Sequence, residues 1–231
     1  MDIKPDAPKV QIAKDGPYLV TGELPLTREA IVADSNGDSV RWETGHQYPQ
    51  QAKYALCRCG HSANKPFCDG SHKKVGFEGA ETANRAPYLE QATVSKGPTM
   101  ALTDAESLCA SARFCDPNGK VWNLVKQSDD AAATKNFVRQ TCECPSGRLV
   151  AWDNASGKAI EPAYVPSIAL IDDPSQNCSG PIWLRGGVQV VGADGFLYEV
   201  RNRVTLCRCG ASKNKPFCDG SHASVGFTDK N

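Results

Sequence analysis

Short runs of β-branched and aromatic residues bounded by turn residues mark both ends of the chain: YLVTG, AIVAD and SVRWE early, PIWL, VQVVG and FLYEV late. Such runs predict strands, and Asn36-Gly37 and Asp194-Gly195 supply turns between them. The centre, residues 98–165, has a different pattern. Thr103 followed by Glu106 reads as a capping box opening a helix over 104–114, and 128–140 has helical composition. A strand pair over 149–152 and 159–163 follows, turning at 154–157, and 80–98 reads as a linker. The pattern predicts a β-rich α+β chain: a first β segment within 8–79, a small α/β insert over 98–165, and a second β segment within 166–231.

Composition narrows the chemistry. The 231 residues suffice to bury a core without staples, and 26 basic against 26 acidic residues give no bulk field for nucleic acid or an anionic membrane. No run approaches the roughly 20 apolar residues that span a bilayer, and residues 1–16 are polar, so a soluble, cytoplasmic protein is expected. Eleven cysteines are many for a reducing compartment, where clustered cysteines point to metal or redox chemistry. Nucleotide-binding, nucleophile-elbow and HExxH signatures are absent, so no catalysis on this chain is expected.

Self-comparison gives the sharpest signal. Residues 57–72 read CRCGHSANKPFCDGSH and residues 207–222 read CRCGASKNKPFCDGSH, differing only at 61 and 63 against 211 and 213. The echo continues in Val75-Gly76-Phe77 and Val225-Gly226-Phe227, and upstream in Gly16-Pro17-Tyr18 and Gly180-Pro181-Ile182. Each copy offers three soft thiolates and one imidazole: Cys57, Cys59, Cys68 and His72, then Cys207, Cys209, Cys218 and His222. That donor set suits zinc or an iron-sulfur cluster, and the C-x-C spacing leans away from the C-x2-C knuckle of zinc fingers. Buried free cysteines are the plainer alternative.

Both copies fit the pattern C-x-C-x2-S/T-x3-P-x-C-D-G-S/A/T-H in full, through Ser62, Pro66, Asp69, Gly70 and Ser71 and their counterparts Ser212, Pro216, Asp219, Gly220 and Ser221. The chain therefore resembles the CDGSH iron-sulfur domain family, the mitoNEET-like proteins. The resemblance implies a 2Fe-2S cluster in each module, two cysteines on one iron and the third cysteine with the histidine on the other. Because such proteins with one motif per chain form homodimers, it also implies that the two lobes form an intrachain pseudo-dimer with a shared β cap, in a monomeric protein. A redox or cluster-acceptor protein would be the partner, in electron or cluster transfer. Alternatives are a non-catalytic subunit of an oxidoreductase complex, or a structural zinc module for interaction.

Within the module, Asp69 is placed to cap a short helix carrying His72, with backbone N–H groups turned to the anionic cluster. Gly70 and Gly220 allow close approach, and Pro66 and Pro216 fix the turn. His61 faces Ala211 in the repeat and so is not a ligand both copies need. Arg58, Arg208, Lys65 and Lys215 either tune the field or are solvated surface charges. His46 and the tryptophans at 42, 122, 152 and 183 read as structural, and Cys178 as a non-ligand in a polar loop. In the insert, Cys109, Cys115, Cys142 and Cys144-Pro145 resemble a divergent single-cluster ferredoxin module, implying a possible third cluster. The alternative packs Cys109 on the apolar face of its helix with Leu108 and Ala112.

Overall fold

In the computed structural model, which describes residues 7–229, the runs at both ends except FLYEV become strands, and the sheets they form pair strands across the two halves of the sequence. The first half supplies β1 (Lys9–Ile12), β2 (Tyr18–Thr21), β3 (Leu26–Ala33), β4 (Ser39–Gln47), β5 (Lys53–Leu56) and the short helix α1 (Ser71–Lys74). The centre holds α2 (Tyr88–Gln91), β6 (Thr93–Lys96), β7 (Met100–Asp104), α3 (Val121–Leu124), α4 (Ala131–Cys142), β8 (Leu149–Asp153) and β9 (Lys158–Ile160). The last part supplies β10 (Ser167–Asp173), β11 (Cys178–Arg185), β12 (Gln189–Val191), β13 (Arg203–Leu206) and α5 (Ser221–Ser224).

Three sheets result, ordered β12-β1-β2-β5, β13-β11-β10-β3-β4 and β6-β7-β8-β9. Most neighbours run antiparallel, but β1 pairs parallel with β12, Val10 opposite Val190, and β3 pairs parallel with β10, Leu26 opposite Ile168. Each of the first two sheets thus incorporates strand from the other half. Arg28 of β3 reinforces this, reaching Asp172 at 2.7 Å and Asp229 at 3.0 Å, and Arg185 of β11 reaches Glu29 at 3.2 Å.

Alternation explains the packing. In β1 and β2 every second residue is buried, and Val10, Ile12, Tyr18 and Val20 meet Ile168, Leu170, Ile182, Leu184 and Leu206 in one core between the first two sheets. Strands β10 and β11 are apolar on both faces: Ala169, Ile171 and Trp183 turn away from that core and are covered by Ala112 and Phe114 of the centre. Trp42 joins them, its ring 4.7 Å from Phe114 and 4.9 Å from Trp183. A third core lies under the last sheet, where Leu102, Leu149 and Ala151 pack on Val121, Val125 and Phe137.

Several elements depart from expectation. No helix forms over 104–114: Thr103 lies in β7, a single 3-10 turn covers Glu106–Leu108, and Ser111 and Arg113 take positive φ, which a helix forbids. The second helix is shifted to Ala131–Cys142 because Asp130 is its cap, accepting from the Ala133 N–H at 2.8 Å. The expected linker contains α2 and β6. FLYEV contributes only an isolated bridge, Leu197 to Val191, and Cys178 begins buried β11 instead of lying in a polar loop. Among the described residues no helix is long and apolar enough to cross a membrane.

Candidate metal centres

Each sixteen-residue module is built by one hairpin-like return. Cys57 N–H donates to Pro66 O at 2.8 Å and Cys68 N–H to Ala55 O at 2.9 Å, so the third cysteine is brought back beside β5. The second copy repeats the bonds at 2.9 and 3.0 Å, from Cys207 to Pro216 and Cys218 to Thr205. Ser62 and Ser212 close each return by donating to Phe67 O and Phe217 O. Lys65 and Lys215 donate to the carbonyls of Ser62 and Ser212 within their own loops.

The donors arrive as pairs. Cys57 and Cys59 hold their sulfurs 3.7 Å apart, and Cys68 Sγ lies 3.4 Å from His72 Nδ1; the second copy gives the same 3.7 and 3.4 Å. Two thiolates on one tetrahedral metal with bonds of about 2.3 Å would stand about 3.8 Å apart, so each pair fits one metal. The four donors of each module thus come as two pairs, an arrangement that suits an iron-sulfur centre.

Asp69 and Asp219 hold the loop before each helix, although not as helix caps: Gly70 and Gly220 occupy the N-cap in a left-handed conformation, φ 87° and 85°. Asp69 accepts from the Ser71 and Ala63 N–H groups, and Asp219 from those of Ser221 and Lys213. The Ser71 and Ala63 bonds hold the Asp69 carboxyl well below the usual carboxylate range. Backbone donors do reach the sulfurs, from His61 to Cys59 at 3.5 Å and from Gly220 to Cys218 at 3.4 Å. Outside its backbone bond, His61 is exposed.

Arg58 and Arg208 are not surface charges; they are 1% and 3% exposed. Their equivalent bonds, Arg58 Nε to Gly16 O at 2.9 Å in the turn before β2 and Arg208 Nε to Gly180 O at 2.7 Å in β11, tie each module to a segment remote in sequence. Arg208 also pairs with Asp229, whereas Arg58 Nη1 has no partner among the described residues. The two modules abut directly. A Cβ added at Gly60 would lie 2.6 Å from Cys209 O, and one at Gly210 would lie 2.6 Å from Cys59 O. Tyr18 crosses the same junction, donating its hydroxyl to Cys207 O at 2.8 Å.

Burial separates the copies. Cys218 and His222 are 2% and 5% exposed, whereas Cys68 and His72 are only half-buried. The cover is the loop 109–115, held by Arg113 on Asp173 at 2.5 and 3.1 Å. Asn214 adds a bond to Ser107 O at 2.8 Å. Burial, and then Arg208, lower the His222 imidazole to about 4. Burial pushes the Cys218 thiol up, with Cys207, Asp219 and Cys109 adding to it.

The same loop forms a further cluster of thiols. Cys109, Cys115 and Cys144 line one cavity with Pro145 and Arg148, but Cys142 does not. Cys142 ends α4 and points its sulfur to Ile160 O at 3.7 Å; residues two apart at a helix end do not share a face. Cys109 thus lies beside the cavity instead of on an apolar helix. Arg148, which sequence reasoning missed, ion-pairs with Asp104 at 2.6 Å and lies over the Trp122 ring. Burial works against its charge, but Asp104, with Cys109 beside it, holds the guanidinium above its ordinary value. Ser111, Arg113 and Asp173 were also missed, and no sequence spacing marks them.

A family model described as the iron-binding zinc finger, CDGSH type, matches residues 15–73 and 179–223, and one described as a divergent 4Fe-4S mono-cluster matches 95–154. No curated protein and no solved structure matches the chain. The matched segments enclose the two pairs of donor pairs and the three-thiol cavity, and they imply iron-sulfur cluster binding. The chain thus carries two CDGSH iron-binding segments with a divergent 4Fe-4S mono-cluster segment between them.

Proposed function

We propose that the chain is a non-catalytic carrier of electrons or clusters, holding one 2Fe-2S cluster on Cys57, Cys59, Cys68 and His72 and another on Cys207, Cys209, Cys218 and His222. The observation that carries this reading is the pairing of donors, 3.7 and 3.4 Å in both copies, which suits two metals per site. A bound 2Fe-2S cluster supplies one-electron chemistry, and histidine in place of a fourth thiolate raises its potential. The chain's own residues do the rest. The N–H groups of His61 and Gly220 stabilise negative charge on the sulfurs, and the reciprocal glycine contacts bring the two loops together.

The two lobes form an intrachain pseudo-dimer, a reading supported by the strands they exchange and by the matching bonds of Arg58 and Arg208. The protein then acts as a cytoplasmic monomer, and a redox or cluster-acceptor protein is its partner. Cys109, Cys115 and Cys144 hold a third cluster in the middle segment, with three cysteine ligands and not four.

The test is a visible spectrum with iron and acid-labile sulfide counts on anaerobically purified protein. About four irons per chain come from two 2Fe-2S sites, and a larger number from a loaded middle site. Stoichiometric zinc without sulfide would instead establish a structural module.

A further inference from the structure

We infer that the three-thiol site of the middle segment and the second CDGSH site form an electronically coupled pair, leaving the first CDGSH site as the one open to outside partners. This rests on the iron-sulfur reading above and adds an order among its sites. The loop 109–115 carries two of the three cavity thiols, Cys109 and Cys115. The same loop lies against Gly220, between Cys218 and His222. A Cβ there would stand 3.4 Å from Ser111 Cβ and 3.6 Å from Cys109 O, with Ser111 Oγ closer still. Gly220 in turn donates its N–H to Cys218 Sγ at 3.4 Å. The backbone of a middle-site cysteine thus lies within reach of a methyl group added at Gly220, whose N–H is itself bonded to a ligand of the second CDGSH site.

The contact is fixed. Arg113 holds the loop to Asp173, Phe114 is buried on Trp42, and Ser111 and Arg113 keep the left-handed turns that press the loop onto Gly220. The first site has no such neighbour: a Cβ at Gly70 would meet nothing within 4 Å. Charges in a buried, water-poor contact interact far more strongly than in water, so negative charge added at the middle site opposes charge added at the second. By reciprocity the second opposes the middle equally. The first site touches the second across the Gly60 and Gly210 junction but presents an open Gly70 where the second meets the loop 109–115, so charge at the middle site reaches it less.

The test uses the full chain, loaded and iron-counted, with His72→Cys as a spectral label of the first site. Electron paramagnetic resonance of the fully reduced protein is compared with that of Cys115→Ser, which removes a middle thiol. The expected result is a split or broadened second-site signal that sharpens in Cys115→Ser, with an upward shift of its midpoint potential and no change at the labelled first site. Should Cys115→Ser not fold, relaxation measurements on the wild type at stepped potentials give the same answer. There, reducing the middle site should speed relaxation of the second site alone. A reduced spectrum equal to the sum of independent centres overturns the pairing, as does an equal effect on both CDGSH sites. A wild-type chain with only four irons also overturns it, while leaving the two-cluster reading intact.

Discussion

The two CDGSH modules differ at two of sixteen positions, yet they occupy different surroundings. The first hangs from a sheet whose strands β1 and β2 bury one face, and its Cys68 and His72 remain within reach of water. The second hangs from a sheet buried on both faces, because residues 109–115 of the middle segment lie over Trp183 and against Gly220. Internal bonds of the modules are the same to within 0.1 Å for the ligand pairs and the serine bridges. Local sequence fixes how donors are presented. What is packed on them afterwards fixes how they behave.

The largest effect is expected where the copies meet. Gly60→Ala and Gly210→Ala each place a Cβ 2.6 Å from a facing carbonyl oxygen, at φ of 80° and 79°. Left-handed strain of about 1–2 kcal/mol and overpacking of about 1–3 kcal/mol should lower stability in denaturant unfolding and cost both sites their colour together. Gly70→Ala and Gly220→Ala share a φ, but only the second meets the middle segment, so it should cost more. Equal losses would mean that the covering loop yields freely.

Next comes the cover itself. Asp173 is 4% exposed at its side chain, so Arg113→Gln leaves a buried carboxylate unpaired, at a cost of about 3 kcal/mol. Chelator-driven bleaching of the second site, followed in a His72→Cys background, should then speed up several-fold toward the rate of the first. An unchanged rate would show that the loop does not protect the site.

Acid should divide the copies without any mutation. A histidine ligand must be neutral, and a proton competes for its nitrogen. His72 is half-buried and open to water, whereas His222 is buried and lowered to about 4. In the ligand-free chain, unfolded His222 takes its proton near about pH 6.5 and folded His222 only near about 4, so its contribution to stability falls as pH drops through that window. Visible absorbance should therefore be lost in two phases on acidification, the first site before the second. His72→Cys should remove the early phase and His222→Cys the late one; a single phase, or the reverse assignment, would refute the difference.

The smallest effect concerns potential. Arg208 is neutralised by Asp229, while Arg58 gives its bonds to the carbonyls of Gly16, Ala13 and Gly79 and meets no carboxylate among the described residues. The first site should have the higher midpoint potential in a redox titration. Arg58→Lys should preserve most of the gap, and Asp229→Asn should narrow it by raising the second site.

The modules were legible in the sequence because ligand spacing within sixteen residues is a local property, and repetition tested it twice. Strand runs were legible for the same reason, through β-branched and aromatic clusters in β2, β3, β4, β11 and β12, whereas β1 was not marked. Their partners were not: a pattern such as VQVV states that a strand exists, not that Val190 will lie opposite Val10. The helix expected over 104–114 failed because the capping pattern at Thr103 and Glu106 was overridden by the sheet pairing of β7 and by the left-handed turns at Ser111 and Arg113. Cys142 misled because its C-x-C spacing copies that of the modules, while its place at the end of α4 turns it away. Burial of Arg58 and Arg208 is set by the carbonyls of turn and strand segments remote in sequence, which no local reading supplies.

The exchange of strands between the halves has a consequence for the order in which the protein comes into being. Gln11 of β1 bonds to Val191 of β12, a separation of 180 residues, so the first sheet is incomplete until β12 has been made. Pairing at such separations gives a high contact order and slow folding, since chain entropy is lost long before the contacts that reward it form. The first module, although translated early, has Cys209 against its Gly60 only in the finished chain. The first module therefore gains its final surroundings only once the second has been made.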